Sequence, residues 1–85
     1  PLLLSIFTTA AELFAKEHNL QKATLLATFV KNHKASTARV RDRAEELLTR
    51  LKTQLSADEL EEIRQRSQQS DLDSLAAQLF IDLQK

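Results

Sequence analysis

The sequence predicts an all-α chain of about five helices folded back antiparallel on one another, a helical hairpin followed by capping helices, and three observations predict it. Gly is missing and the only Pro is Pro1, so nothing in the interior breaks a helix or supplies the tight turns of β-hairpins. Apolar residues recur three or four positions apart along most of the chain. Short polar breaks separate these stripes, and each holds a residue suited to capping a helix.

The first stripe is Leu3, Ile6, Phe7, Ala10, Leu13 and Phe14, and a helix carrying it is expected to bury that face. His18-Asn19 interrupts the pattern, with Asn19 a candidate N-cap whose side chain accepts from the N–H groups exposed at a new helix start. A second helix is expected to run to about His33. It carries Leu20, Ala23, Leu26, Ala27 and Val30 on one face and Leu25 and Phe29 on another, and a helix apolar on two sides is one sandwiched between neighbours.

Lys34-Ala35-Ser36-Thr37 is the next break, where Ser36 or Thr37 caps a third helix expected to reach about Leu55. Its stripe is Val40, Ala44, Leu47, Leu48, Leu51 and Leu55, and Glu46 and Arg50 form an i,i+4 pair on its wet side. Ser56-Ala57-Asp58-Glu59 has the spacing of a capping box, in which the Ser and Glu side chains each satisfy a backbone donor of the other. The fourth, shorter helix that follows offers only Ala57, Leu60 and Ile63 to a core, so it is expected at the surface and to melt first. Ser70 or Asp71 caps the fifth helix, in which Leu72, Leu75, Ala76, Leu79, Phe80 and Leu83 are expected to be buried and Ile81 falls off the stripe. Short connections make consecutive helices turn back on each other.

Composition narrows the class of protein. A length of 85 residues suits one hydrophobic core, and 42% hydrophobic with 28% charged residues is the balance of a folded chain. The lack of Cys excludes disulfides, thiolate zinc sites and a Cys nucleophile, in keeping with a cytoplasmic location. Pro1-Leu2-Leu3-Leu4 is too short for a signal sequence, and no apolar run approaches the ~18–20 residues that span a bilayer. Opening on Pro, with helix-like residues at once, the sequence reads as a fragment of a longer chain. The formal charge is zero, from 12 basic and 12 acidic side chains, but the signs are unevenly spread. Lys31, Lys34, Arg39, Arg41 and Arg43 face only Asp42 within residues 31–43, whereas acidic residues dominate from Ser56 onward. Such runs are chiefly solvated faces.

The chemistry of catalysis has little to work with. Phosphate-cradling loops need the backbone freedom of Gly. His18 and His33 stand 15 residues apart, about 22 Å along a helix, too far to share a metal. Asp58 with Glu62 and Asp42 with Glu46 are side by side on helices, but other charges flank them and no dry pocket is suggested. The sequence therefore predicts no enzyme, no cofactor and no metal.

Phe7, Ala10, Ala11, Phe14, Leu20, Ala23, Ala27 and Val30 sit at the spacings of the tetratricopeptide signature, in which small residues mark the crossing of two helices and large ones pack between repeats. The likeness covers roughly residues 4–35. His18 stands where the signature has Gly, Ala27 where it has an aromatic and Ala35 where it has Pro, and a shift of about 34 residues puts Arg41, Glu61 and Arg64 at positions that should be apolar or small. Residues 1–35 thus resemble one degenerate hairpin of a right-handed α-solenoid or compact bundle, and 36–85 a set of capping helices within the same domain. The stretch from Ala23 to Leu55 is similar to the C-terminal end of helical-repeat regions in bacterial multidomain signalling ATPases and LuxR-type transcription regulators.

That resemblance implies a noncatalytic protein-binding module whose partner is another protein or a neighbouring domain. Lys22, Thr24, Lys31 and Asn32 are its candidate polar contacts and Phe7 and Phe14 its packing anchors. Two alternatives stand beside it. One is a nucleic-acid-associated domain using Lys31, Lys34, Arg39, Arg41 and Arg43, which is less favoured because no aromatic is interleaved and Asp42, Glu45 and Glu46 dilute the field. The other is a homodimer buried through Leu2–Leu4 and the last helix.

Overall fold

The segment that is apolar on two sides is the one around which the chain is built. The computed structural model describes residues 2–84, Leu83 by its backbone alone, as five helices: α1 (Leu2–Lys16), α2 (Leu20–Asn32), α3 (Ala38–Leu51), α4 (Ala57–Gln69) and α5 (Leu72–Leu83). The expected all-α class and helix order hold, with no strand among the described residues. α2 packs against α1, α3 and α4, and its first turns face α5 across a cleft lined by Lys22, Leu25, Leu26, Leu75 and Leu79. Ala23, Ala27 and Val30 are completely buried, because small side chains let neighbouring helices approach α2 closely.

α1 and α2 form an antiparallel hairpin. Lys22 lies over the ring of Phe14 near the turn, and Phe29 meets Phe7 farther along, with ring centroids 6.1 Å apart. α1 and α3 run side by side in the same sense. Glu12 of α1 pairs with Arg43 near the middle of α3, and the Ala15–Lys16 end lies by Leu47, Arg50 and Leu51. α2 and α4 likewise advance together, from Thr24 and Thr28 beside Leu60 to Asn32 and His33 beside Ser67.

Six buried positions of the first pair recur in the second, whereas Leu4, Thr8, Thr24, Ala27 and Phe29 fall opposite the exposed Arg41, Glu45, Glu61, Arg64 and Arg66. Phe7 with Ala44, Ala10 with Leu47, Ala11 with Leu48, Phe14 with Leu51, Leu26 with Ile63 and Val30 with Ser67 are each separated by 37 positions. The caps Asn19 and Ser56 keep the same separation. α3 and α4, however, touch each other far less than each touches α2. The described residues fill 31 × 30 × 24 Å, the shape of a compact bundle.

Several expected details shift. On α1 the buried side is Leu4, Phe7, Thr8, Ala10, Ala11 and Phe14, while Ile6 and Leu13 are each 45% exposed. The Thr8 hydroxyl donates to the Leu4 carbonyl at 2.9 Å, so a polar residue enters the core without an orphaned donor. Asn19 occupies the N-cap of α2, but its side chain accepts no capping bond. Thr37, not Ser36, caps α3 by accepting from the Val40 N–H; the buried Ser36 hydroxyl instead donates to the Val30 carbonyl at 2.6 Å.

α3 ends at Leu51 rather than near Leu55. There the Thr53 hydroxyl takes the Arg50 carbonyl and the Gln54 N–H takes that of Leu51, closing the helix end. Glu46 and Arg50 are both exposed and form no ion pair among the described residues. The Ser56–Glu59 capping box is present in both directions, at 3.1 Å each way. α4 is as long as α2, at 13 residues, and buries only Ile63 and Ser67. On α5, capped by Asp71, Leu75 and Leu79 are buried but Phe80 is 67% exposed, a departure from the expected stripe. Leu83 falls outside the described side chains.

Candidate functional site

α1 has a second apolar side. At about 100° per residue, Leu2, Ile6 and Leu13 project opposite Leu4 and Ala11, and with Ser5, Thr9 and Ala10 they line a shallow groove of about 390 Å³ that contains no charged side chain. Leu2 is 78% exposed. The groove follows from the sequence of α1, whose aliphatic residues surround the helix while its charges gather at Glu12 and Lys16. Glu12 and Lys16 separate this groove from the core side on one flank, so α1 carries two apolar sides, one buried and one exposed.

The four candidate polar contacts do not form one surface. Lys22 lies near the start of α2, half-exposed, 3.0 Å from Asp82 of α5 and 5.7 Å above the Phe14 ring. Thr24 is 1% exposed and its hydroxyl donates to the Leu20 carbonyl at 2.7 Å, which places it in the packing and away from the surface. Lys31 and Asn32 lie together at the far end of α2, along a recess shared with Lys52, Leu60, Glu61 and Arg64. Phe7 and Phe14 are core residues, 0% and 6% exposed.

The basic residues of 31–43 are likewise dispersed. Lys31 faces the α4 recess, and Lys34 a separate hollow with Phe29, His33 and Ser67. Arg43 is paired with Glu12 of α1, and the Arg41 guanidinium donates to the Ser36 carbonyl at 3.3 Å. Arg39 is exposed. His18 is exposed at the end of α1, whereas His33 is half-buried, its Nδ1 accepting from the Ala35 N–H and its ring 5.4 Å from that of Phe29.

The resolved electrostatic shifts belong to helix ends and surfaces. The Ser56 backbone N–H, then its hydroxyl, hold the Glu59 carboxyl below its ordinary 4.5. Asp71 is held below 3.8 by the Ser74 backbone N–H first and its hydroxyl second. The Arg64 guanidinium, through its hydrogen bonds, lowers Glu61. All three carboxylates are at the surface. No group of three or more His, Cys, Asp or Glu residues is gathered for a metal among the described residues, and no helix among them is long and apolar enough to cross a membrane.

Together these features define an all-α bundle, built on a central helix, with an uncharged apolar groove along its first helix. No family model, curated protein or solved structure matches the chain. Sequence reasoning named neither Ile6 nor Leu13 as a surface residue. The available signal was the aliphatic character of α1 on both sides, the criterion that marked α2 as sandwiched.

Proposed function

We propose that this chain is a noncatalytic protein–protein interaction module, the terminal part of a helical-repeat array in a larger protein, with the outer groove of α1 receiving a helix of the adjoining unit. The observation that carries the reading is the apolar exterior of α1, where Leu2, Ile6 and Leu13 are solvent-exposed on a helix whose opposite side is core. The 37-residue correspondence of buried positions supports it, as does the side-by-side run of α1 with α3 and of α2 with α4. In an arrangement that adds hairpins, α1 presents to a preceding unit a side equivalent to the one on which α3 lies against α1. A bacterial signalling or regulatory setting rests on the resemblance of residues 23–55 alone.

Area favours a neighbour in the same protein over a second copy of this chain. From Leu2 to Leu13 the groove is about 16 Å long at ~1.5 Å per residue and one helix wide, far short of the ~800 Å² per partner in a stable dimer. Tethering raises effective concentration to roughly the millimolar range, so a small apolar contact suffices within one chain. The nucleic-acid reading gains no support from arginines engaged with Glu12 and Ser36.

Ile6→Glu combined with Leu13→Glu tests the proposal in the full-length protein and in the isolated chain. The pair is expected to leave the melting of the isolated chain within about 0.5 kcal/mol of its starting stability, as exposed sites do, and to lower that of the full-length protein. Equal melting of both full-length forms would remove the groove from the account. An isolated chain that sediments as a dimer, dispersed by the same substitutions, would replace it with self-association.

A further inference from the structure

A partly open cleft of about 500 Å³ lies beneath α5, within the ~300–1,000 Å³ range of small-molecule sites. Its floor is apolar, formed by Phe14 of α1, Leu26 of α2, and Leu75 and Leu79 of α5, which are largely buried beneath it. Its rim is polar, because the more exposed lining residues include Lys22 and Arg66. The cleft opens to solvent along Arg66, Gln69 and Gln78. α5 meets its neighbours here through side chains across the cleft and not by close backbone approach, which leaves a way in.

The charges of the rim do not cancel. Lys22 is engaged by Asp82 at 3.0 Å and by the face of Phe14. Arg66 is exposed and makes no ion pair among the described residues, so the rim is left with one positive charge beside an apolar interior. An apolar body carrying one negative head satisfies both parts, whereas a cation meets like charge and a wholly polar solute forfeits the apolar wall.

We propose that this cleft binds a small amphiphilic carboxylate, with its apolar body against Phe14, Leu26, Leu75 and Leu79 and its head at Arg66. The site shares no residue with the outer groove of α1, and it stands whether or not that groove has an occupant. Octanoate is the probe, titrated into ¹⁵N-labelled chain and followed by amide chemical shifts, with octylammonium as the charge-reversed control. Saturable shifts are expected at Leu26, Leu75 and Leu79, with affinity reduced about fivefold by Arg66→Gln, the worth of one partly exposed ion pair. Leu25→Trp, which fills the cleft from its half-buried edge, is expected to abolish binding while circular dichroism stays helical. Absence of saturable shifts below about 10 mM, a millimolar limit at which a contact is worth under ~3 kcal/mol, would overturn the proposal. So would equal affinity for octylammonium, or binding undiminished in both variants.

Discussion

His18 holds φ at 64° and is the one non-Gly residue in the left-handed region among those described. Around it the Asn19 N–H reaches back to the Phe14 carbonyl at 2.8 Å and the His18 N–H to that of Ala15 at 3.2 Å, the paired bonds of a Schellman motif. The conformation costs a residue bearing a Cβ about 1–2 kcal/mol, whereas Gly adopts it freely at an entropic cost of roughly 0.5–1 kcal/mol. His18→Gly is therefore expected to stabilise the chain by about 0.5–1 kcal/mol and raise the melting temperature by roughly 2–8 °C; a lower melting temperature would contradict this account of the turn. The sequence carried the signal, since the tetratricopeptide pattern has Gly where His18 stands.

The capping carboxylates make a second prediction at the same scale. Glu59 and Asp71 have folded values below their ordinary 4.5 and 3.8, so the stability they contribute is complete above those values and is lost as pH falls through the lowered folded ones. Melting followed from about pH 6 to about pH 3 should show that decline. In Ser56→Ala, which removes the hydroxyl and keeps the backbone N–H, the Glu59 titration, read by NMR, should move only part of the way up toward 4.5; a titration left wholly in place would mean that the hydroxyl has no share in setting it. The Ser56 cap is legible because Ser-x-x-Glu names both donors and acceptors, whereas the sequence leaves Ser70 and Asp71 as alternatives for α5 and the structure selects Asp71. Asn19 is not legible, since a suitable side chain at an N-cap need not turn inward, and at φ −89° and ψ 72° it makes no capping bond.

Among the elements, periodicity identified all five helices and failed where a helix is apolar on more than one side. On α1 it selected Ile6 and Leu13 for the core, but burial belongs to Leu4, Thr8 and Ala11. Thr8 lies outside any apolar pattern, yet it is buried because its hydroxyl is satisfied within its own helix. Phe80 on α5 was misplaced for the same reason. A shift of 34 residues conceals the partial correspondence between α1–α2 and α3–α4, because three further residues are needed to superpose the six buried positions they share.

The helices also differ in how firmly they are held. α2 buries Ala23, Thr24, Leu26, Ala27, Phe29 and Val30, whereas α4 buries two residues, of which Ile63 lies outside the continuous core cluster. α5 is secured chiefly by Leu75, Leu79 and the Lys22–Asp82 bridge. Amide hydrogen exchange should therefore be slowest in α2 and markedly faster in α4 and α5. Uniform protection over all five helices would show that the chain opens only as a whole.

For the whole molecule, the decisive feature is an interior closed around α2 beside an exterior left apolar along α1. The all-α class was legible from the missing Gly and the helical spacing. Which side of α1 stays outside was not, since it depends on where α3 comes to rest, a long-range contact that includes the Glu12–Arg43 pair. The candidate polar surface failed to gather for a related reason. Lys22 and Lys31 lie nine residues apart on α2, with α5 beside one and α4 beside the other.

Because the chain has no Cys, one introduced thiol reports directly on whether the outer side of α1 is covered. Ile6→Cys should react with a soluble maleimide at the rate of an exposed thiol in the isolated chain. In the proposed larger array, with any other cysteines replaced, covering by an adjoining helix should slow that reaction at least about tenfold, the factor that ~1.4 kcal/mol of protection provides. Equal rates in the two proteins would contradict the proposed role of this helix.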